Sequence, residues 1–217
     1  MIVPTMSYQE IEQAFRREVQ GAWNRIGEKA KTFGGMVLKT RLYPCIRSFT
    51  VDSKDKTKLS IIFFADKRSY WNHPRVCIYT TFYRKDGLYV ISTDNPECGE
   101  ARIYTAHFFE RYRERFQDNE ELTTTNLIKQ YLITNQDLMW YRNREIFSAA
   151  YQKYEHDDIP QLAARVVDGN CFIERIGEKL MLFKTFLSDD MLGPVQLLAF
   201  AQLEEMRLQF AEASQKR

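Results

Sequence analysis

AHFFERYRERF, residues Ala106 to Phe116, is the stretch from which the chain is best read. At about 100° per helical residue, Phe108, Phe109, Tyr112 and Phe116 gather on one side, while His107, Arg111 and Arg115 form a row beside them. A face with that many rings has to be covered by a sheet or by other helices. Each step of four residues drifts about 40° toward the aromatic side, which predicts that His107 is the most exposed of the row and Arg115 the most buried. Glu110 and Glu114 stand three residues after His107 and Arg111, so the same spacing also reads as an ordinary solvated ion-pair ladder.

On the N-terminal side, Ser7-Tyr8-Gln9-Glu10 has the form of a capping box. Ile11, Phe15, Val19, Trp23 and Ile26 then keep helical spacing up to Gly34-Gly35, which predicts one long amphipathic helix, with Gly21 and Gly27 marking a close approach or a bend. Residues 36–105 read as β-rich, with short runs at 45–51, 59–65, 76–83, 88–93 and 101–104. Asp86-Gly87 is a hairpin signal between two of them. The segment 66–74 carries Tyr70, Trp71 and His73 and reads as a loop, either folded over the sheet or stacking on a base or a partner side chain.

On the C-terminal side, residues 106–160 read as helical. Thr123, Thr124 or Thr125 caps a helix bearing Leu127, Ile128, Tyr131 and Leu132, and a second helical stretch spans about 137–154. His156-Asp157-Asp158 follows, but adjacent residues in an irregular segment converge poorly on one ion. Residues 164–187 read as a three-stranded meander with turns at Asp168-Gly169-Asn170 and Gly177-Glu178. A closing helix over 188–213 carries Leu197, Leu198, Ala201, Leu208 and Phe210. The whole is an α+β fold: largely antiparallel sheet regions packed with long N-terminal and C-terminal helices and a central helical segment, in a single domain over 1–217.

The 217 residues carry a net charge of +2, and 44% are hydrophobic, enough for a packed core. Near-neutrality argues against a broad coating of nucleic acid but leaves room for a local basic groove. Cys45, Cys77, Cys98 and Cys171 form no Cys-x-x-Cys pair and only three histidines accompany them, so no metal site and no cofactor is expected. No run reaches membrane-spanning length and no leader pattern is seen, so a cytoplasmic protein with reduced thiols is expected.

Gly-rich phosphate loops, His-Glu-x-x-His and Gly-x-Ser-x-Gly are absent from the sequence. The chemistry that remains is metal-independent cleavage of RNA by the neighbouring 2′-hydroxyl. His107 would serve as base or acid, and Arg111 and Arg115 would clamp phosphate oxygens. Lys184 and Thr185, on the last strand of the meander, are candidates to touch the same phosphate, with an outward-facing strand position as their plain alternative.

The His107-x-x-x-Arg111-x-x-x-Arg115 helix, preceded by the strand-like Arg102-Ile103-Tyr104-Thr105-Ala106, resembles a family of small bacterial domains related to RelE- and BrnT-like ribonuclease toxins. Leu182-Phe183-Lys184-Thr185-Phe186-Leu187 looks like the last strand of that family's meander. The resemblance covers about a third of the chain. It implies an endoribonuclease or RNA-binding activity, an antitoxin-like protein partner, and a bacterial, phage or mobile-element setting. The competing reading is a non-enzymatic interaction protein in which aromatic surfaces and amphipathic helices bind a protein partner and the His/Arg row is structural.

Overall fold

The computed structural model describes residues 2–95, 99–116, 122–141 and 161–215. The protein is α+β, and it divides into two compact units, Met1–Ile103 and Tyr104–Arg217.

In the first unit, α1 (Tyr8–Gly21) begins at the expected capping box, with Ser7 Oγ accepting from the Glu10 N–H and the Glu10 carboxylate accepting from the Ser7 N–H at 2.7 Å. The helix does not continue unbroken. Gly21, a weak helix former, ends α1, and Ala22 carries the backbone across a one-residue kink into α2 (Trp23–Lys39). Ala22 takes the buried position that the spacing had assigned to Trp23, which is left 43% exposed. Nor does Gly34-Gly35 stop the helix, which closes five residues later on Thr40, whose N–H donates to the Met36 carbonyl.

Gly34 serves a different purpose. A Cβ at this position would stand 2.4 Å from the Trp71 carbonyl oxygen. A 3-10 turn (Arg68–Trp71) is therefore seated directly on α2, and it touches the Lys58–Ala65 strand of the sheet as well.

Five strands follow α2: β1 (Cys45–Asp52), β2 (Lys58–Ala65), β3 (Arg75–Arg84), β4 (Gly87–Thr93) and β5 (Ala101–Tyr104), in the order β1-β2-β3-β4-β5. Pairing from β1 through β4 is antiparallel. Gly87, with φ 133°, supplies the positive dihedral at the Asp86-Gly87 hairpin. Phe33 of α2 stacks on Phe63 of β2 at 5.5 Å, with Phe49 of β1 edge-on to the same ring, so the helix pair covers one face of this sheet.

The second unit holds α3 (Ala106–Phe116), α4 (Thr124–Thr134), β6 (Met139–Tyr141), β7 (Gln161–Val166), β8 (Gly169–Gly177), β9 (Leu180–Leu187) and α5 (Pro194–Gln215). Its strands are ordered β9-β8-β7-β6 and every pair is antiparallel. Residues 139–141, expected to be helical, instead form a strand against Ala163–Arg165, as suits the bulky Met139-Trp140-Tyr141 run. The rest of that expected helix and His156-Asp157-Asp158 lie outside the described residues. The closing helix packs Phe200 and Leu203 onto Ala163, Phe172 and Leu192. Among the described residues no helix is long and apolar enough to cross a membrane.

Paired substitutions test the helix-turn contact. Gly34→Ala forces a methyl group against the Trp71 carbonyl and is expected to cost about 1–3 kcal/mol. Gly35→Ala, which meets nothing within 4 Å, is expected to gain up to about 1 kcal/mol of helix propensity. Urea melts of the two variants check this, and equal stabilities would remove the close approach from the account.

Candidate functional site

The α3 helix is fixed at its start by Thr105. Its hydroxyl accepts from the Phe108 N–H at 3.1 Å and donates to the Lys184 carbonyl at 3.0 Å, while its own N–H donates to the Phe183 carbonyl. One residue thus caps the helix and ties it to β9. β9 is irregular at this point: Phe172 pairs with Thr185 and Ile173 with Phe183, leaving Lys184 as an extra, bulged residue. The bulge lets Phe183 and Phe186 both reach α3, with Phe183 5.9 Å and Phe186 6.1 Å from Phe108. Tyr104, Phe109, Tyr112 and Tyr131 complete the cluster, with centroids as close as 4.5 Å. The aromatic side of α3 is buried, as its spacing requires.

The row beside it is already engaged. His107 is 52% exposed at its side chain, and its Nδ1 lies 3.7 Å from Glu110 Oε2. Arg111, 39% exposed, pairs with Glu114 at 2.6 Å and directs its Nε toward His107 Nε2 at 3.5 Å. Arg115 donates to the Phe186 carbonyl, and burial, followed by the neighbouring Arg111 charge, lowers its pKa. The ladder that the spacing allowed is therefore formed, and the third cation holds β9.

Thr185 is brought beside the end of this row, where its hydroxyl and the Arg115 guanidinium share the Phe186 carbonyl, whereas the Lys184 side chain is engaged elsewhere. The Lys184 ammonium pairs with Glu174 of β8 at 2.5 Å, and the Thr185 hydroxyl donates to the Phe186 carbonyl at 3.5 Å. Among the described residues no hydrogen bond or ion pair joins the side chain of either to His107, Arg111 or Arg115. Nor, among the described residues, is there any group of three or more His, Cys, Asp or Glu residues able to hold a metal ion. Cys45, Cys77 and Cys171 are buried, and burial pushes the Cys171 thiol up to about 12.

Two polar clusters in the second unit have no local sequence signal. The Tyr112 hydroxyl donates to Asp168 Oδ2 at 2.7 Å, and Asn135 donates to the same oxygen at 2.7 Å while accepting the Asp168 N–H. Asn135 also donates to the Tyr131 carbonyl, and burial, reinforced by Asp168, raises the Tyr112 pKa. The second cluster centres on Arg165, which reaches Asp189 at 2.5 Å, Asn170 at 3.1 Å and Glu204 of α5 at 3.1 Å. It ties the closing helix and the turn before it to β7. The members of both clusters lie up to 56 residues apart in sequence.

In the first unit, charge is sharply segregated. Residues 29–51 carry Lys29, Lys31, Lys39, Arg41 and Arg47, residues 67–75 carry Lys67, Arg68 and Arg75, and neither stretch contains an Asp or Glu. The remaining residues hold 23 cations against 29 carboxylates. The fold brings the two stretches together. The start of β1, the end of β2 and the start of β3 are in register, Ile46 opposite Phe64 and Phe64 opposite Arg75, at one end of the sheet. The Trp71–Gly34 contact adds the C-terminal half of α2, and Tyr43 Oη donates to the Val37 carbonyl at 2.8 Å to hold the connection after it. Two nearby carboxylates are already paired, Asp66 with Arg75 at 3.1 Å and Asp94 with Arg102 at 2.6 Å. Arg68, Trp71 and His73 are exposed on this surface.

No family model, curated protein or solved structure matches the chain. Fold and site define an α+β protein with one basic, aromatic surface and one ion-paired helical row.

Tyr112→Phe leaves Asp168 short of a donor and is expected to cost about 1–2 kcal/mol, whereas His107→Ala on the exposed ladder should stay within about 0.5 kcal/mol; chemical denaturation compares them. Acid sensitivity tests the second cluster. Burial opposes ionisation of Asp189, but hydrogen bonds from Arg165 and Asn170 outweigh it and depress its pKa. A depressed carboxylate stabilises the fold above its unfolded pKa of about 4 and loses that contribution as pH falls through the lower folded value. Thermal melts from pH 6 to 2.5 should show a smaller acid loss in Asp189→Asn than in the unsubstituted protein.

Proposed function

We propose that this chain is an RNA-binding protein whose contact surface is the basic, aromatic end of the first unit. The observation that carries this reading is that two stretches free of carboxylates, which between them carry eight Lys and Arg residues, meet through the register of β1, β2 and β3 and the Trp71–Gly34 contact, in a chain whose net charge is only +2. Such a local concentration of cations is the footprint of a polyanion partner, since each neutralised phosphate releases condensed counterions and the gain falls with added salt. The exposed Trp71 adds a ring on which a base can stack.

A ribonuclease reading rests on His107 in the second unit. It is favoured by one observation: the imidazole is exposed and its Nε2 lies near the Arg111 Nε. The ion pair between Arg111 and Glu114, and the attachment of Arg115 to β9, leave less cationic charge for the phosphorane than this mechanism demands.

One assay addresses both readings. For five phosphate contacts to single-stranded RNA, affinity should fall about 100-fold between 50 and 200 mM salt. The same mixtures, held in excess EDTA, report any cleavage. Salt-independent binding, or none, overturns the RNA reading; cleavage that survives in His107→Ala assigns the activity elsewhere.

A further inference from the structure

Within the RNA-binding reading, on which this inference rests, we infer that the first unit selects single-stranded RNA, stacking an unpaired base on Trp71 and setting the flanking phosphates against Arg68 and Lys31. The argument begins with the seat of the tryptophan. Trp71 is 45% exposed, yet its backbone is closely packed on α2: its carbonyl oxygen occupies the space a side chain at Gly34 would need, and its ring atom Cε3 stands 3.7 Å from that same point. The turn that carries it is closed by the Tyr70 N–H donating to the Lys67 carbonyl at 3.2 Å, and the segment is clasped at its base by the Arg75–Asp66 ion pair at 3.1 Å. A large ring held out by a fixed backbone loses little conformational freedom on contact.

The surroundings decide what the ring contacts. Trp140 is exposed to a similar degree but lies beneath the Arg175 guanidinium at 5.6 Å, so its ring is engaged. Trp71 instead stands within the acid-free region. Arg68 is three residues before it on the same turn, and Lys31 lies one helical turn before Gly34 on α2. Lys67 sits over the Tyr70 ring at 5.2 Å, which places a second ring with its cation beside the first. Rings interleaved with cations suit a strand whose bases are unstacked. In a duplex the base faces are hidden in the stack and only the cations would be satisfied.

The test is fluorescence anisotropy at 50 mM salt with a labelled 12-nucleotide mixed-sequence RNA, the same RNA annealed into a blunt duplex, and a DNA strand of the same sequence, using the full chain. The single-stranded RNA should bind more tightly than the duplex. Trp71→Ala should weaken single-strand binding roughly 5- to 100-fold while leaving duplex binding unchanged, and Trp71→Phe should recover most of the loss. Arg68→Ala should lower the salt slope by about 0.7 for the single strand. A DNA strand bound nearly as well supports stacking, since the base faces are shared. Circular dichroism melts confirm that each variant is folded.

If duplex and single strand bind equally and Trp71→Ala changes neither, the stacking inference falls while RNA binding stands. If neither RNA binds, both readings fall together. If phosphatidylserine vesicles compete with the RNA and Trp71→Ala weakens vesicle binding instead, the surface belongs to a membrane headgroup and the inference is overturned.

Discussion

Seven aromatic rings in the second unit, Tyr104, Phe108, Phe109, Tyr112, Tyr131, Phe183 and Phe186, have to leave water together, and much of that unit follows from the requirement. A regular β9 would turn Phe183 and Phe186, three residues apart, to opposite faces. The bulge at Lys184 absorbs the odd residue and brings both to α3. The bulged backbone needs a hydrogen-bond partner, and Thr105 provides it from the first position before the helix, so the same residue that starts α3 also positions it on the strand.

That burial determines what the cationic row can do. With the rings inward, His107 and Arg111 face solvent beside Glu110 and Glu114, and each finds its carboxylate within its own helix. Arg115, carried toward the aromatic side by the drift of the helix, reaches a β9 carbonyl. The exposed pairs contribute little to stability, and they also reduce the local positive potential. The row is thus electrostatically quieter than its composition suggests.

The first unit spends its charge differently. Cations gathered without interleaved carboxylates raise the potential, and the strand register brings the start of β1, the end of β2 and the start of β3 together at one end of the sheet. Such an arrangement carries a cost in self-repulsion that balanced ladders avoid. The fold retains it around a Trp71 ring that is only half covered.

Local periodicity determined most of the elements. The capping box at Ser7, the alternating runs that became β1 to β5, the meander, and the buried aromatic side of α3 all follow from residues a few positions apart, whose helix or strand spacing is imposed by backbone geometry. The acid-free stretches were likewise present in the sequence, but as two separate segments with nothing to join them. Tertiary structure alone decided that Gly34 is a seat for Trp71 and not a helix stop, that Ala22 and not Trp23 faces the core, and that residues 139–141 pair as a strand. It alone also joined Tyr112 to Asp168 and Arg165 to Asp189 and Glu204. Each of these depends on which surfaces meet, and a contact between residues distant in sequence leaves no periodic trace in the order of either segment.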